Sequence, residues 1–352
     1  MAAPRFALIA TFAWLLCAGA GAQVPHISPP RPAPATAAQD VMPLPPAAFD
    51  PTLAVGGQDV RARQVETRLS IDVLVNGRGP YRFVVDSGAD TSVVGLRIAR
   101  GLQLPLGTPA ILYGVTARNL VDRVKVDQLT LGPSTVSGLQ LPALREADVG
   151  GDGLVGIDAL VQQRLMMDFE SHLIKIEDAR TPEKHYFGEI VITARRQRGQ
   201  LILAHVRAAG LPLDAVIDTG SEVTIGNTAL RDKLFRRGAK SYPATAIGVT
   251  GVEVALQLMV VDELRLGPVI LRDVPIAFAD VPPFELFGLS HQPALLLGTD
   301  ILEKFRRVSL DFRARKVRFQ LRRCAPQTVY IDTSPQFRLT RLLPGDTESC
   351  AA

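Results

Sequence analysis

Two stretches of the chain share one grammar: "YRFVVDSGADTSVVG", Tyr81 to Gly95, and "DAVIDTGSEVTIG", Asp214 to Gly226. In each, three apolar residues (Phe83, Val84, Val85; Ala215, Val216, Ile217) run into an aspartate, Asp86 or Asp218. Ser87-Gly88 or Thr219-Gly220 follows at once. A run of β-branched and aromatic residues ending in small turn-formers predicts a strand that enters a tight loop, with a half-buried acid at its end. A buried carboxylate is costly unless it is hydrogen-bonded or shares its charge, and each aspartate can be the other's partner. Two carboxylates about 3 Å apart do not both ionise readily, so the pair keeps one proton and offers a base beside an acid. Such a pair can activate water without a covalent intermediate.

One Asp-Ser/Thr-Gly alone is an ordinary turn. Two copies with matching surroundings are harder to reach by accident, because each continues with a small residue, an acid and a hydroxyl: Ala89, Asp90, Ser92 and Ser221, Glu222, Thr224. Ser87 and Thr219 can hydrogen-bond across to the opposite loop. Gly88 and Gly220 let the backbone come close enough to donate N–H groups to the acids. Ser92 and Thr224, six positions after each aspartate, can brace the loops or can be surface hydroxyls.

The elements that must position these residues also come twice. "VDQLTLGP" (Val126 to Pro133) answers "VDELRLGP" (Val261 to Pro268), "LVGIDAL" answers "LLGTDIL", and "MDFESHLIKI" answers "LDFRARKVRF", in the same order. The offset grows only from 218 − 86 = 132 to 298 − 156 = 142, so little insertion separates the halves. Each half reads as strands, the Asp turn, a hairpin tip (Tyr113-Gly114; Ile247-Gly248 to Gly251), further strands, a short helix and a closing strand. Two such β-units pack naturally about a pseudo-twofold axis, on which the two Asp turns face each other.

"VVDSGADTS" and "VIDTGSEVT", each followed downstream by an apolar pair and glycine ("LVGID", "LLGTD"), resemble the motifs of aspartic proteases, over roughly residues 66–322. Lobe size and the Ala after the first motif are similar to the retropepsin-like branch, and two lobes in one chain to the pepsin-like one. The resemblance implies a mainly β fold of two pseudo-symmetric β-barrel-like lobes with a cleft between them. It implies Asp86 and Asp218 as the catalytic pair and Ser87, Gly88, Thr219, Gly220, Ser92 and Thr224 as loop support. It further implies flaps at Tyr113, Gly114 and Gly248 covering an extended peptide, with no cofactor and no metal. Asp158 and Asp300 are expected as helix caps, and Asp168 and Asp311 as structural residues opening the closing hairpins. The rival reading is a secreted binding protein that holds peptides in the same cleft without cutting them.

The 352 residues suffice for two modest domains, and 47% hydrophobic content with 21% charge excludes a disordered chain. The 29 Gly and 26 Pro favour strands and turns over long helices. Net charge is +4, but the basic groups (Arg195, Arg196, Arg198; Arg313, Arg315, Lys316, Arg318) are short and scattered. They read as solvated strand faces rather than a nucleic-acid stripe. "GDGLVG", Gly151 to Gly156, fits a dinucleotide fingerprint, yet its counterpart "PALLLGTD" keeps only the last glycine, so the repeat and not a cofactor accounts for Gly156.

Residues 1–22, with Arg5, an apolar core and Ala20-Gly21-Ala22, read as a signal peptide for a periplasmic or secreted protein, an uncleaved anchor being the alternative. Residues 23–60 are a Pro/Ala-rich linker, 61–190 and 191–323 the two lobes, and 324–352 a tail. Removal of the leader leaves Cys324 and Cys350, which an oxidising compartment would join, or which stay two free thiols. A monomer acting on a peptide or protein is expected, with no membrane span after the leader.

Overall fold

The computed structural model describes residues 26–34, 58–61, 63–65, 68–132, 134–160, 163–180, 188–236, 239–322 and 329–331. The expected leader and the Cys324 and Cys350 pairing fall outside them. The chain enters through β1 (Arg31–Pro32), β2 (Gln58–Arg61) and β3 (Arg63–Val65). The first lobe comprises β4 (Arg68–Val75), β5 (Arg78–Val85), β6 (Val93–Gly95), β7 (Ala110–Tyr113) and β8 (Arg118–Val121). It continues with β9 (Arg123–Leu131), β10 (Ser134–Leu144) and β11 (Gly153–Val155), and carries the short helices α1 (Leu96–Gly101), α2 (Glu146–Val149) and α3 (Ile157–Leu160).

A linking set follows: β12 (Gln163–Asp168), β13 (Leu173–Asp178) and β14 (Glu189–Thr193). The second lobe opens with β15 (Arg195–Gln197), β16 (Gln200–Ala208), β17 (Leu211–Ile217) and β18 (Ile225–Gly226), then α4 (Thr228–Leu234). The strands β19 (Tyr242–Ile247), β20 (Glu253–Leu266) and β21 (Val269–Phe278) lead to α5 (Pro282–Leu286), β22 (Ala294–Leu297) and α6 (Thr299–Leu302). The chain closes on β23 (Phe305–Asp311), β24 (Lys316–Leu321) and β25 (Val329–Ile331).

Both lobes are mainly β and both close into six-stranded barrels. In the first, β4-β5-β11-β6-β10-β9 returns to β4 through Val73↔Leu131; in the second, β16-β17-β22-β18-β21-β20 returns through Val206↔Leu266. Closure removes the exposed edges that an open sheet would leave. The central strands are apolar on both faces. Phe83, Val84 and Val85 at the end of β5, and Ala215, Val216 and Ile217 at the end of β17, are all buried. Each run pairs in parallel with a second apolar strand, Val85 with Val155 and Ile217 with Leu297.

The glycines of the "GDGLVG" run have packing reasons. Gly153 lies in β11 with the Phe83 ring where its Cβ would be, and a Cβ on Gly156 would come within 2.6 Å of the Thr91 carbonyl carbon. The lobes meet through a third sheet, in the order β14-β24-β23-β12-β13-β2. At its centre β12 and β23 run antiparallel with Arg164 opposite Asp311 and Asp168 opposite Arg307. Arg164 Nε lies 3.1 Å from Asp311, and Arg307 Nε 2.6 Å from Asp168. Arg318 is also buried, 3.3 Å from Glu189, so part of the charge expected on solvated strand faces is internal and paired.

Part of the stretch expected as a linker, residues 26–34, is docked: β1 pairs antiparallel with β8, and Ile27 is buried in the core. The lack of an apolar period hid this, because an added edge strand needs backbone groups and a single anchoring side chain.

Candidate active site

Each aspartate stands at the mouth of its barrel because the strand before it ends there. The Asp86 N–H donates to Val155 O (2.9 Å) and the Asp218 N–H to Leu297 O (3.0 Å), so the parallel apolar strands fix both acids by their backbones. The chain then folds back onto each carboxylate. Asp86 Oδ1 accepts from the N–H groups of Gly88 (2.8 Å) and Ala89 (3.0 Å), and Asp218 Oδ1 from those of Gly220 (3.0 Å) and Ser221 (3.1 Å).

Ser87 and Thr219 lock the two loops together. The Ser87 N–H donates to Thr219 Oγ1 (2.9 Å) while Ser87 Oγ donates to Ile217 O (2.9 Å). The Thr219 N–H donates to Ser87 Oγ (3.2 Å) while Thr219 Oγ1 donates to Val85 O (2.8 Å). Both side chains are about 1% exposed, so four hydrogen bonds cross between lobes in a dry interior. The glycines are needed for this approach: a Cβ on Gly88 would come within 2.7 Å of the Asp218 carboxyl carbon, and one on Gly220 would strike Asp86.

Each carboxyl lies against the glycine of the opposite loop, Asp218 against Gly88 and Asp86 against Gly220. Burial, then the charge of Asp86, push Asp218 up to about 8 against the opposing N–H groups of Gly220 and Ser221. Asp86 is raised too, chiefly by burial, but the N–H groups of Gly88 and Ala89 and the Arg68 guanidinium oppose the rise. The proton therefore favours Asp218.

Ser92 and Thr224 are fully buried and brace the loops. Ser92 Oγ accepts from the Gly156 N–H (3.0 Å) and donates to Asp158 (2.7 Å); Thr224 Oγ1 accepts from the Gly298 N–H (3.0 Å) and donates to Asp300 (2.7 Å). Asp158 and Asp300 are thus not the helix caps expected. The N-cap of α6 is Gly298, with no side-chain cap bond; each aspartate lies inside its helix and accepts from the bracing hydroxyl and the N–H of the same residue, Asp158 also from Thr91 Oγ1 (2.9 Å) and Asp300 also from the Ile301 N–H (2.8 Å) in the first turn. The pairing of a hydroxyl six residues after each aspartate with an acid two residues after each downstream glycine was the sequence signal for it.

A second tier of charges went unread. Asp90 receives Arg198 (2.9 Å) and Gln200, and Glu222 receives Arg68 (2.8 Å). Asp90 and Glu222 each stand four residues after their aspartate, and each pair joins one lobe to the other. Arg198 had been expected on a solvated face.

The hairpins carrying Tyr113, Gly114 and Gly248 meet at their tips. Thr250 Oγ1 lies 2.9 Å from Asn119 Oδ1, both residues being buried, and donates to it. Val115 of the first hairpin packs on the apolar cluster of the second lobe, and Val249 of the second packs with Ala89 and Leu112 on that of the first. Gly248 leaves room for the Thr116 side chain. Tyr113 faces Arg118 across its hairpin, with the guanidinium 4.9 Å from the ring centre.

Among the described residues no group of three or more His, Cys, Asp or Glu is placed to hold a metal ion, and no helix is long and apolar enough to cross a membrane. No curated protein matches the chain. The family model described as aspartyl protease matches it twice, over residues 71–159 and 204–301, one match on each barrel and together more than half of the sequence. Two closed barrels, each delivering one Asp-Ser/Thr-Gly loop to a common site, and this double match place the chain in the aspartyl protease family.

Proposed function

We propose that this protein is an aspartic endopeptidase that hydrolyses peptide bonds with water activated between Asp86 and Asp218. Family membership supports a peptidase in general, and the observation that carries the finer reading is the placing of the two raised carboxyls, each against the glycine of the opposite loop and each held by two backbone N–H groups. The ionised Asp86 takes a proton from the water, whose oxygen attacks the amide carbonyl. The protonated Asp218 hydrogen-bonds to the developing oxyanion, and the proton gained by Asp86 passes to the departing amine. Ser87 and Thr219 keep the carboxyls at a fixed separation, so little reorganisation accompanies the step.

The hairpin tips around Gly114 and Gly248 are proposed to close over a peptide bound in extended form. The apolar leader supports export to the periplasm or beyond, with cleavage near Ala22, and N-terminal sequencing of the exported protein checks it.

The central test is cleavage of a peptide library by wild type, Asp86→Asn, Asp218→Asn and the double variant, with peptide binding measured in parallel. Each single change should lower kcat/KM by about 10³ or more, and the double variant should be hardly worse, as for residues acting as a unit. Wild type that binds peptides and cuts none between pH 3 and 8 would favour a binding protein. Equal residual cleavage in both variants would place the chemistry elsewhere.

A further inference from the structure

The geometry points to residues 26–34 as a strap that restrains the opening of the first hairpin. The hairpin leaves its barrel at Asp122, where the strand is interrupted between β8 and β9. The strap is fastened on both sides of that break. On the barrel side Ile27 is 5% exposed and belongs to the main core cluster. At the break the Ser28 N–H donates to Asp122 Oδ2 (2.8 Å) and the Arg31 guanidinium to Asp122 Oδ1 (3.3 Å). On the hairpin side β1 pairs with β8, Arg31 opposite Leu120 and Pro32 opposite Asn119, and the Ala33 N–H donates to Arg118 O (3.0 Å).

A hairpin swinging away from the cleft must pivot near Asp122 and so must tear one end of the strap loose. Asn119, the strand residue facing Pro32, is also the residue that receives Thr250 from the other hairpin. The strap therefore stiffens the strand that carries the contact between tips.

The second hairpin shows what the first would be without it. There β20 runs unbroken from Glu253 to Leu266, and Glu253–Leu256 pair with β19 while their other edge has no strand partner among the described residues. The arm with the interrupted strand is the strapped one. Pro29, Pro30, Pro32 and Pro34 lack N–H donors, so the outer edge of the strap does not invite a further strand.

The effect on hairpin motion stands by itself; the effect on cleavage rests on the protease reading. The test uses the full chain with Ile27→Asp, which empties the anchor, and Arg31→Ala, an exposed side chain whose loss cannot unfold the lobe. Amide hydrogen exchange across Ala110–Val121 should speed up about tenfold or more in Ile27→Asp and several-fold in Arg31→Ala, while β12 and β23 keep wild-type rates. Cleavage of a long peptide should gain a few-fold in kcat/KM, because opening admits substrate. Unchanged exchange in both variants overturns the strap. Faster exchange with unchanged or lower kcat/KM overturns its control of substrate entry. A wild type that cleaves nothing overturns the protease reading, and exchange still decides whether the strap exists.

Discussion

The two aspartates are chemically unequal although their loops are nearly superimposable in sequence. Arg68 lies near Asp86 and helps its ionised form, whereas Asp218 feels the charge of Asp86 and is pushed up to about 8. On the proposed mechanism the working state, Asp86 ionised and Asp218 protonated, spans the interval between the raised value of Asp86 and about 8. A pH–rate profile should therefore be a bell reaching toward neutrality, with its alkaline limb near pH 8. The same inequality acts on stability. Asp218 has a folded value above its ordinary 3.8, so the native state holds an extra proton in between, and stability falls as pH rises through that window. Asp218→Asn removes this slope, and urea unfolding at pH 5 and pH 9 should show wild type losing more than the variant. Asp158→Ala should cost about 1–3 kcal/mol by leaving buried Ser92 groups without an acceptor, and thermal unfolding measures it. The meeting of the two Asp loops was legible because their grammar is local: apolar run, acid, hydroxyl, glycine. The clamps were not, because Arg198 meets Asp90 across 108 positions and nothing in either neighbourhood marks the match.

At the scale of elements, the hairpins meet on very little material: one buried hydrogen bond, two exchanged valines and a glycine. Thr250→Val keeps the shape but withdraws the donor from buried Asn119 Oδ1. An unsatisfied buried acceptor costs about 1–3 kcal/mol, and that cost falls on the closed arrangement alone. The arms should open more readily, so amide hydrogen exchange across Ala110–Val121 should speed up several-fold and kcat/KM for a long peptide should rise, as it should when the strap is loosened. The hairpins themselves were readable from "LYGVTAR" and "IGVTGVE", where glycines interrupt strand-forming runs. Their mutual contact was not, since it depends on how two separately legible units are mounted. The strap was hidden for another reason: its Pro-rich composition is that of a linker, and only the unpaired edge of β8, invisible in one dimension, gives it a place.

At the scale of the molecule, the repeat made the two barrels legible, while the sheet between them was not, because its strands come from both halves and from the N-terminal segment. That sheet carries buried and half-buried ion pairs, Arg164 with Asp311, Arg307 with Asp168 and Arg318 with Glu189. Burial raises Asp168, but the Ser171 N–H and the Arg307 guanidinium outweigh it and hold the carboxyl below its ordinary value. Asp168 therefore contributes stability above pH 4 or so, lost as pH falls through its lowered folded value. Asp168→Asn should destabilise by about 2–3 kcal/mol at pH 7, and in thermal unfolding the gap from wild type should narrow as pH falls below the ordinary carboxylate range. The seam on which this pair sits has a further property. Arg164 to Asp168 (RLMMD) and Arg307 to Asp311 (RVSLD) each begin with arginine and end with aspartate, and their antiparallel pairing sets each arginine opposite the other's aspartate, so the charges of the join are two-fold symmetric. Charges arranged in this way do little to distinguish a lobe from a copy of its own kind, so the covalent tether, which gives the correct partner a high effective concentration, adds to the fidelity of assembly. The two halves produced as separate chains should scramble into like pairs as well as the native pair, in proportions that native mass spectrometry can count.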